Sequence, residues 1–134
     1  MDKQSLFKRL TALVVFIFLL NTIASKFYWY SSIWWFDMPM HFMGGLFLGL
    51  LFIYLFSSKD VAKTEVLKIL FWVLLFGIFW EFFELYFVNH IADNPFNLLD
   101  TSSDIFFDLA GGCVALVYLS NKIMNPAQNN VQLK

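Results

Sequence analysis

Three long and mostly apolar runs constrain this chain more than any other feature. They cover residues 10–24, 38–56 and 66–88, and a helix needs about 20 mostly apolar residues to cross the hydrocarbon core of a bilayer. A soluble core of this size cannot hide them, because 60% of the residues are hydrophobic and only 14% are charged, against about 25% charged in soluble domains. The sequence therefore predicts an integral membrane protein.

A fourth apolar run begins near Thr101 and ends near Lys122. The predicted fold is all-α, a four-helix membrane bundle that forms a single transmembrane domain over residues 1–134. Its helices are expected at about 6–25, 38–56, 65–89 and 102–122, followed by a polar tail at 125–134. A basic start before an apolar helix is also typical of a signal peptide, but the further membrane segments favour an uncleaved first helix.

The lysines and arginines indicate the orientation of these helices. Among the nine of them, only Lys26 falls on one side of the predicted membrane, and the others lie on the opposite side. By the positive-inside rule, both the N- and C-termini are expected in the cytoplasm. The net charge of −1 and the lack of a basic cluster argue against a nucleic-acid partner. Cys113 is the single cysteine and is expected to be a small packing residue.

Acidic residues and one histidine recur at helical spacing inside the apolar runs, and the predicted topology places them all in the outer half of the membrane. Residues three or four apart share one face of a helix, so each set can line one face. The second helix carries Asp37 and His41, the third Glu81 and Glu84, and the fourth Asp100, Asp104 and Asp108.

These groups have no embedded lysine or arginine to neutralise them, and like charges close together repel strongly at low dielectric. Three arrangements resolve this: shared protons, a water-filled pocket, or a bound divalent cation, either Mg²⁺, Mn²⁺, Ca²⁺ or Zn²⁺. The candidate catalytic residues are Glu81, Asp104 and His41. The candidate metal ligands are Asp37, His41, Glu81, Glu84, Asp100, Asp104 and Asp108.

Simpler interpretations exist for single members of the set. Asp37 can serve only to cap the second helix, and Thr101 with Asp104 forms a variant of the capping box. A lone buried histidine such as His41 is commonly a satisfied core residue, and the two glutamates can be a polar clamp between helices. Gly44, Gly45, Gly49, Gly111 and Gly112 allow close helix approach beside the acids. The coincidence of seven groups on one side favours a functional site.

Three motifs resemble those of a known family of small bacterial inner-membrane proteins, the YjdF-like family. They are Phe36-Asp37-x3-His41-Phe-x-Gly-Gly45, Phe79-Trp-Glu81-Phe-Phe-Glu84, and Leu99-Asp100-Thr101-x2-Asp104-x3-Asp108-Leu-x-Gly111. The chain is similar, more loosely, to the VanZ-like proteins associated with glycopeptide resistance. The resemblance implies a multi-pass protein of the inner membrane in which Asp37, His41, Glu81, Glu84, Asp100 and Asp104 form one site. It implies no substrate, and Leu99 stands where the YjdF-like family usually has an aromatic residue.

Three functional hypotheses follow. The first is a metal-dependent enzyme that acts on a lipid or lipid-linked headgroup at the outer leaflet. The second is an ion- or proton-coupled transporter, although the inner halves of the second and third helices are nearly bare of polar residues. The third is a non-catalytic envelope protein whose acids are structural. The expected partner is membrane lipid, and the sequence leaves open whether the chain forms a homo-oligomer.

Overall fold

The computed structural model describes residues 3–56, 63–86 and 97–124, and every regular element in these ranges is a helix. The helices are α1 (Lys3–Lys26), α2 (Trp29–Ser32), α3 (Asp37–Phe56), α4 (Lys63–Glu84) and α5 (Leu98–Met124). The polar tail predicted at residues 125–134, and the predicted extension of the third helix over 87–89, lie outside the described ranges.

Three of these helices are long and apolar enough to cross a membrane within the described chain. They are α1, α3 and the Glu65–Glu84 part of α4. The last helix, α5, has 27 residues, about 40 Å at 1.5 Å per residue, but aspartates reduce the apolar character of its first half. It begins at Leu98 rather than near residue 102, so Asp100 lies in its first turn.

The central helix of the described structure is α3, which packs against α1, α4 and α5. Its contact with α5 is the most extensive, and glycine makes it possible. A Cβ atom at Gly45 would overlap the backbone carbonyl of Asp108, and one at Gly111 would overlap that of Phe42. The two backbones therefore touch directly, as they do in close glycine-mediated crossings of membrane helices.

An apolar core fills the space between α1, α3, α4 and α5 beyond this crossing. Its most buried members, each at 1% exposure or less, are Leu6, Ile53, Ile69, Val73 and Ala115. Large apolar side chains cover much of the described exterior: Phe18 is 68% exposed, Leu67 69% and Phe79 67%. An exterior of this kind is expected of helices that face lipid. Cys113, expected to pack inside, is exposed on α5.

A short aromatic segment joins α1 to α3. Tyr28 has a left-handed backbone with φ 57° and directly precedes the single turn of α2. The rings of Trp29 and Tyr30 then pack edge-on against Phe36, with centroids 5.4 and 5.2 Å away. Because Phe36 is buried and directly precedes α3, these contacts fix where α3 begins and so where Asp37 lies.

Candidate functional site

The acidic residues of three helices meet at one end of the packed helices. This end is formed by the start of α3, the end of α4 and the start of α5. The spacing of four explains the arrangement within α3, because Asp37, His41 and Gly45 follow one another along the face that packs on α5. Asp104 and Asp108 occupy the matching face of α5, and both are buried, at 3% and 5% exposure.

His41 lies at the centre of this cluster and is 6% exposed. Its Nδ1 is 3.4 Å from Oδ2 of Asp108, within hydrogen-bonding range. On the other edge of the ring, Nε2 is 3.8 Å from Oδ2 of Asp37 and 3.8 Å from Oε1 of Glu81. Carboxylates from all three helices therefore surround one imidazole. Across residues 3–56, 63–86 and 97–124, the ion pairs at these carboxylates all involve His41.

Two overlapping groups have the geometry of a metal site. One consists of Asp37, His41 and Glu84, and the other of His41, Glu81 and Asp104. In each group the three possible ligand atoms lie within 4.8 Å of one another. Neighbouring ligand atoms bound to one ion at about 2.1 Å lie about 3.0–3.4 Å apart in octahedral or tetrahedral geometry, so side-chain shifts of up to about 1 Å would complete either set.

Buried carboxylate oxygens without partners distinguish the second group. Oε1 of Glu81 and Oδ1 of Asp104 are buried and find no hydrogen-bond partner in the part of the chain that the structure describes. A buried oxygen of this kind costs about 1–3 kcal/mol if it stays unpaired, and more if the group is charged. Both oxygens belong to residues that converge on His41, so one added cation or proton could satisfy them together.

Asp108 occupies a slot that small residues create. A Cβ at Gly77 on α4 would lie 2.6 Å from Oδ2 of Asp108, and a Cβ at Gly44 would lie 3.8 Å from Oδ1. Gly77 was not among the glycines predicted from the sequence to lie beside the acids. A signal was present, because Gly77 lies four residues before Glu81 and therefore on the same face of α4.

Asp100 and Tyr30 lie at the rim of the cluster. Asp100 is exposed and belongs to neither metal-like group. The hydroxyl of Tyr30 donates a hydrogen bond of 2.7 Å to Oδ1 of Asn21 on α1, so the first helix reaches this end of the molecule through a polar contact. Burial, reinforced by the nearby carboxylates of Asp37 and Glu84, raises the pKa of Tyr30 to about 12. The phenol therefore keeps its proton at neutral pH and can act as a donor.

The fold and this cluster together define a class: a helical membrane protein with a buried acidic and histidine cluster at one end. Comparison with protein families agrees with the membrane assignment. The chain belongs to the family described as predicted membrane protein (DUF2238), whose model matches residues 2–124. This family is consistent with the resemblance to YjdF-like proteins. No curated protein and no solved structure matches the chain.

Proposed function

We propose that this protein is a metal-dependent membrane enzyme that acts on a lipid or lipid-linked headgroup. The observation that carries this proposal is the convergence of one imidazole and carboxylates from three helices, with two carboxylate oxygens buried and unpaired. Glu81, Asp104 and His41 are the central residues. Asp37, Glu84, Asp100 and Asp108 complete the predicted ligand set around a divalent cation.

The charge of the cluster favours a cation over any other ligand. Ionised acids inside a bilayer each cost about 2.5–3.5 kcal/mol near its centre, and the described residues place no lysine or arginine in an ion pair with them. A divalent cation bound by two carboxylates forms an electrically neutral unit. The mixed oxygen and imidazole donors suit Mg²⁺, Mn²⁺ or Zn²⁺ and are also compatible with Ca²⁺.

The position of the cluster favours a substrate at the membrane surface. It lies at the start of α3 and α5, beside the exposed rings of Trp34, Trp35 and Trp80, which are 81%, 50% and 53% exposed. Tryptophan is enriched at the level of lipid headgroups. A bound cation would polarise a phosphoryl oxygen and lower the pKa of a water molecule. Asp37 or Glu84, whichever the ion leaves free, would accept the proton of that water.

The location that we propose is the bacterial inner membrane, with four spanning helices and both termini in the cytoplasm. The separation of charge along the described helices supports this orientation. Lys3, Arg9 and Lys68 lie near Tyr54, Tyr118 and Phe56, at the end of the helices opposite to the acidic cluster. By the positive-inside rule, that basic end faces the cytoplasm and the cluster faces outward.

A structural role is the second candidate, and the His41–Asp108 contact between α3 and α5 favours it. In that case the acids share protons and hold the helices together. A transporter formed by one chain is disfavoured, because Ile53, Ile69, Val73 and Ala115 fill the interior next to the cluster. Among the residues that the structure describes, this apolar layer offers no polar path to the other end of the helices. A path between the subunits of a homo-oligomer stays open.

The experiment that tests the proposal measures metal content and then activity. Detergent-purified protein is analysed by elemental mass spectrometry as wild type, Glu81→Gln and Glu65→Gln. Glu65 is the matched control, because it lies on the same helix at the basic end. We expect about one divalent ion per chain in the wild type and the control, and a loss of at least tenfold in Glu81→Gln.

Activity is then measured on vesicles that contain phospholipid and a lipid-linked phosphate, by the release of the headgroup or of phosphate. The wild type and Glu65→Gln should release product, and Glu81→Gln should not. Equal metal content in all three proteins would contradict the metal proposal. If the protein binds a stoichiometric metal but releases product from none of these lipids, the metal has a structural role and the enzyme proposal is wrong.

A further inference from the structure

The two nitrogens of His41 have different surroundings, and this divides the acidic cluster into parts with different roles. Nδ1 faces Asp108 at 3.4 Å, whereas Nε2 faces Asp37 and Glu81 at 3.8 Å each. A distance of 3.8 Å is too long for a hydrogen bond. It is, however, within about 1 Å of the separation between neighbouring ligand atoms that share an ion at about 2.1 Å from each.

We propose that Asp108 is a positioning residue rather than a ligand. It holds His41 in the tautomer that presents a bare Nε2 to a divalent cation, and Glu81 and Asp104 supply the other protein ligands. This inference rests on the proposed function, because it specifies how the same site binds its cation. It also narrows the seven predicted ligands to three, with one from each of α3, α4 and α5.

The chemistry of the donors gives Asp108 this role. A carboxylate accepts hydrogen bonds, so a hydrogen bond from His41 to Asp108 places the proton on Nδ1. A neutral imidazole with its proton on Nδ1 leaves the lone pair of Nε2 available for a metal. Histidine ligands commonly donate their other N–H to a carboxylate, which fixes the ring and raises its basicity. Asp108 also belongs to neither of the two metal-like groups.

The slot around Asp108 explains why its carboxylate stays on the Nδ1 side. Its side chain lies beside Gly44 and Gly77, and its backbone carbonyl lies against Gly45. A Cβ at Gly77 would come within 2.6 Å of Oδ2, the same oxygen that faces Nδ1 of His41. The absence of a side chain at Gly77 therefore gives that oxygen the space that it needs to reach the imidazole.

Unpaired oxygens select Glu81 and Asp104 as the other ligands. Both residues have a buried carboxylate oxygen without a hydrogen-bond partner among the described residues. Asp104 is 3% exposed, so bulk water cannot readily supply a hydrogen bond to its unpaired oxygen. We call His41, Glu81 and Asp104 the inner group, and Asp37 and Glu84 with the same histidine the outer group. Nε2 faces a carboxylate of each group, but its single lone pair can coordinate only one ion at a time. We assign this ion to the inner group.

The ligand set also indicates the kind of ion. Two carboxylates neutralise one divalent charge, and the imidazole adds a donor that suits Zn²⁺ and other transition metals. Sites for Ca²⁺ and Mg²⁺ are built mainly from oxygen ligands. We therefore expect Zn²⁺ or Mn²⁺ to bind more tightly than Mg²⁺ or Ca²⁺.

The test uses ¹⁵N-histidine NMR on the full-length protein in detergent, with Zn²⁺ as the probe. His90→Gln leaves His41 as the only histidine, since the chain contains two. Without metal, at a pH high enough that the ring is neutral, we expect the proton on Nδ1. With Zn²⁺, we expect the Nε2 resonance to shift as a bound nitrogen while Nδ1 keeps its proton. Binding through Nδ1, or a metal-free ring with its proton on Nε2, would overturn the inference.

Two substitutions at Asp108 separate a positioning residue from a ligand. Asp108→Ala removes the acceptor and should weaken Zn²⁺ binding by about 10–100-fold, the usual effect of losing such a partner. Asp108→Asn offers an amide that can accept from Nδ1 or donate to it, so its Zn²⁺ affinity should follow the tautomer: close to the wild type with the proton on Nδ1, and weakened with the proton on Nε2. If Asp108 were a ligand, affinity would be lost even with the proton on Nδ1, and the inference would be wrong.

Gly77→Ala and Asp37→Asn complete the set. Gly77→Ala displaces Asp108 without changing any charge, so it should shift the tautomer in the same direction as Asp108→Ala. Asp37→Asn alters only the outer group and should keep Zn²⁺ affinity within about threefold of the wild type. A wild type that never binds Zn²⁺ or Mn²⁺ would overturn the proposed function, whereas the metal-free tautomer would still test the role of Asp108 by itself.

Discussion

The two ends of the packed helices handle charge in opposite ways. At the acidic end, Asp104 and Asp108 are buried between helices. At the basic end, the charged groups of Lys3, Arg9 and Lys68 lie 5.8, 5.5 and 4.5 Å from aromatic ring centroids near the surface. Arg9 also donates a hydrogen bond to the hydroxyl of Tyr118.

The lengths of the side chains account for much of this difference. Lysine and arginine can rest their stems on apolar surface while the charge reaches water. Aspartate has a single methylene, so a helix that carries it to the interior also buries its charge. The lysine and arginine contacts of the basic end are therefore small surface interactions, whereas the buried aspartates of the acidic end need a specific neutralising partner. This contrast predicts large effects of substitution at the acidic end and small ones at the basic end.

The largest effect is expected at the backbone contact beside the acids. Gly45→Ala would push a methyl group into the backbone carbonyl of Asp108, which cannot move without shifting α5. We expect a loss of stability of about 3 kcal/mol or more, at or above the upper end of usual overpacking costs. Thermal unfolding in detergent, followed by size-exclusion chromatography, measures it.

The neighbouring residue Gly44 provides the control. Within the described ranges, a Cβ there would meet only Oδ1 of Asp108, at the ordinary contact distance of 3.8 Å. Gly44→Ala should therefore unfold close to the wild-type temperature. Similar behaviour of the two variants would mean that α3 and α5 do not cross as closely as the structure places them.

The next effect concerns stabilisation by a cation. At 100 times its dissociation constant, a bound ion stabilises the folded protein by about 2.7 kcal/mol. Asp104→Asn should lose nearly all of this gain, while its metal-free form should be as stable as the wild type or more so, because a buried charge is removed. Thermal unfolding with and without Zn²⁺ measures both quantities.

Asp100→Asn is the matched control, since it makes the same change one turn earlier on α5 at an exposed position. It should keep the full gain from Zn²⁺. An equal loss in both variants would show that the whole acidic face, rather than the inner group, attracts the ion.

A smaller effect is expected at the basic end. Arg9→Ala removes the contact with the Tyr118 ring and its hydrogen bond, and should lower stability by about 1 kcal/mol. Lys8→Ala removes the same charge from the adjacent position of α1 and should change stability by less than about 0.5 kcal/mol. A loss at Arg9 as large as the loss at Gly45 would remove the contrast between the ends.

The smallest effect is expected at the rim. Tyr30→Phe deletes the hydroxyl that donates to Asn21 but keeps the ring that packs on Phe36. The expected loss is about 0.5–1 kcal/mol in thermal unfolding. Tyr28→Phe is the control, because the Tyr28 side chain is 75% exposed. A larger loss at Tyr30 would mean that the phenol contributes to the acidic cluster itself.

Much of the fold follows from patterns that the sequence displays openly. Apolar runs of membrane-spanning length predict helices, because a bilayer leaves no other way for a single segment to satisfy its backbone. The described chain agrees with this prediction, because three of its helices are long and apolar enough to cross a membrane. Spacings of three and four also predict which residues share a face, and Asp37 with His41 illustrates the rule. The assignment of a metal to this face stays a prediction.

Local sequence patterns do not predict which side chains of different helices come into contact. Spacing alone places Asp104 and Asp108 in the same predicted ligand set, since nothing in the spacing of Asp108 differs from that of Asp104. Their difference comes from rotation and depth at the crossing of α3 and α5, where Asp108 meets Nδ1 of His41. Gly77 was missed for the same reason, because its importance lies in a contact with another helix.

The sequence by itself determined that this chain belongs in a membrane and that its acids gather on helix faces near one end. Hydrophobic length and helical periodicity are local properties, so they can be read one segment at a time. Only the tertiary structure decided which edge of His41 each acid faces, and that Glu81 and Asp104 are left with unpaired oxygens. Those relations depend on distances of a few ångströms between helices, and close backbone packing at glycine fixes them.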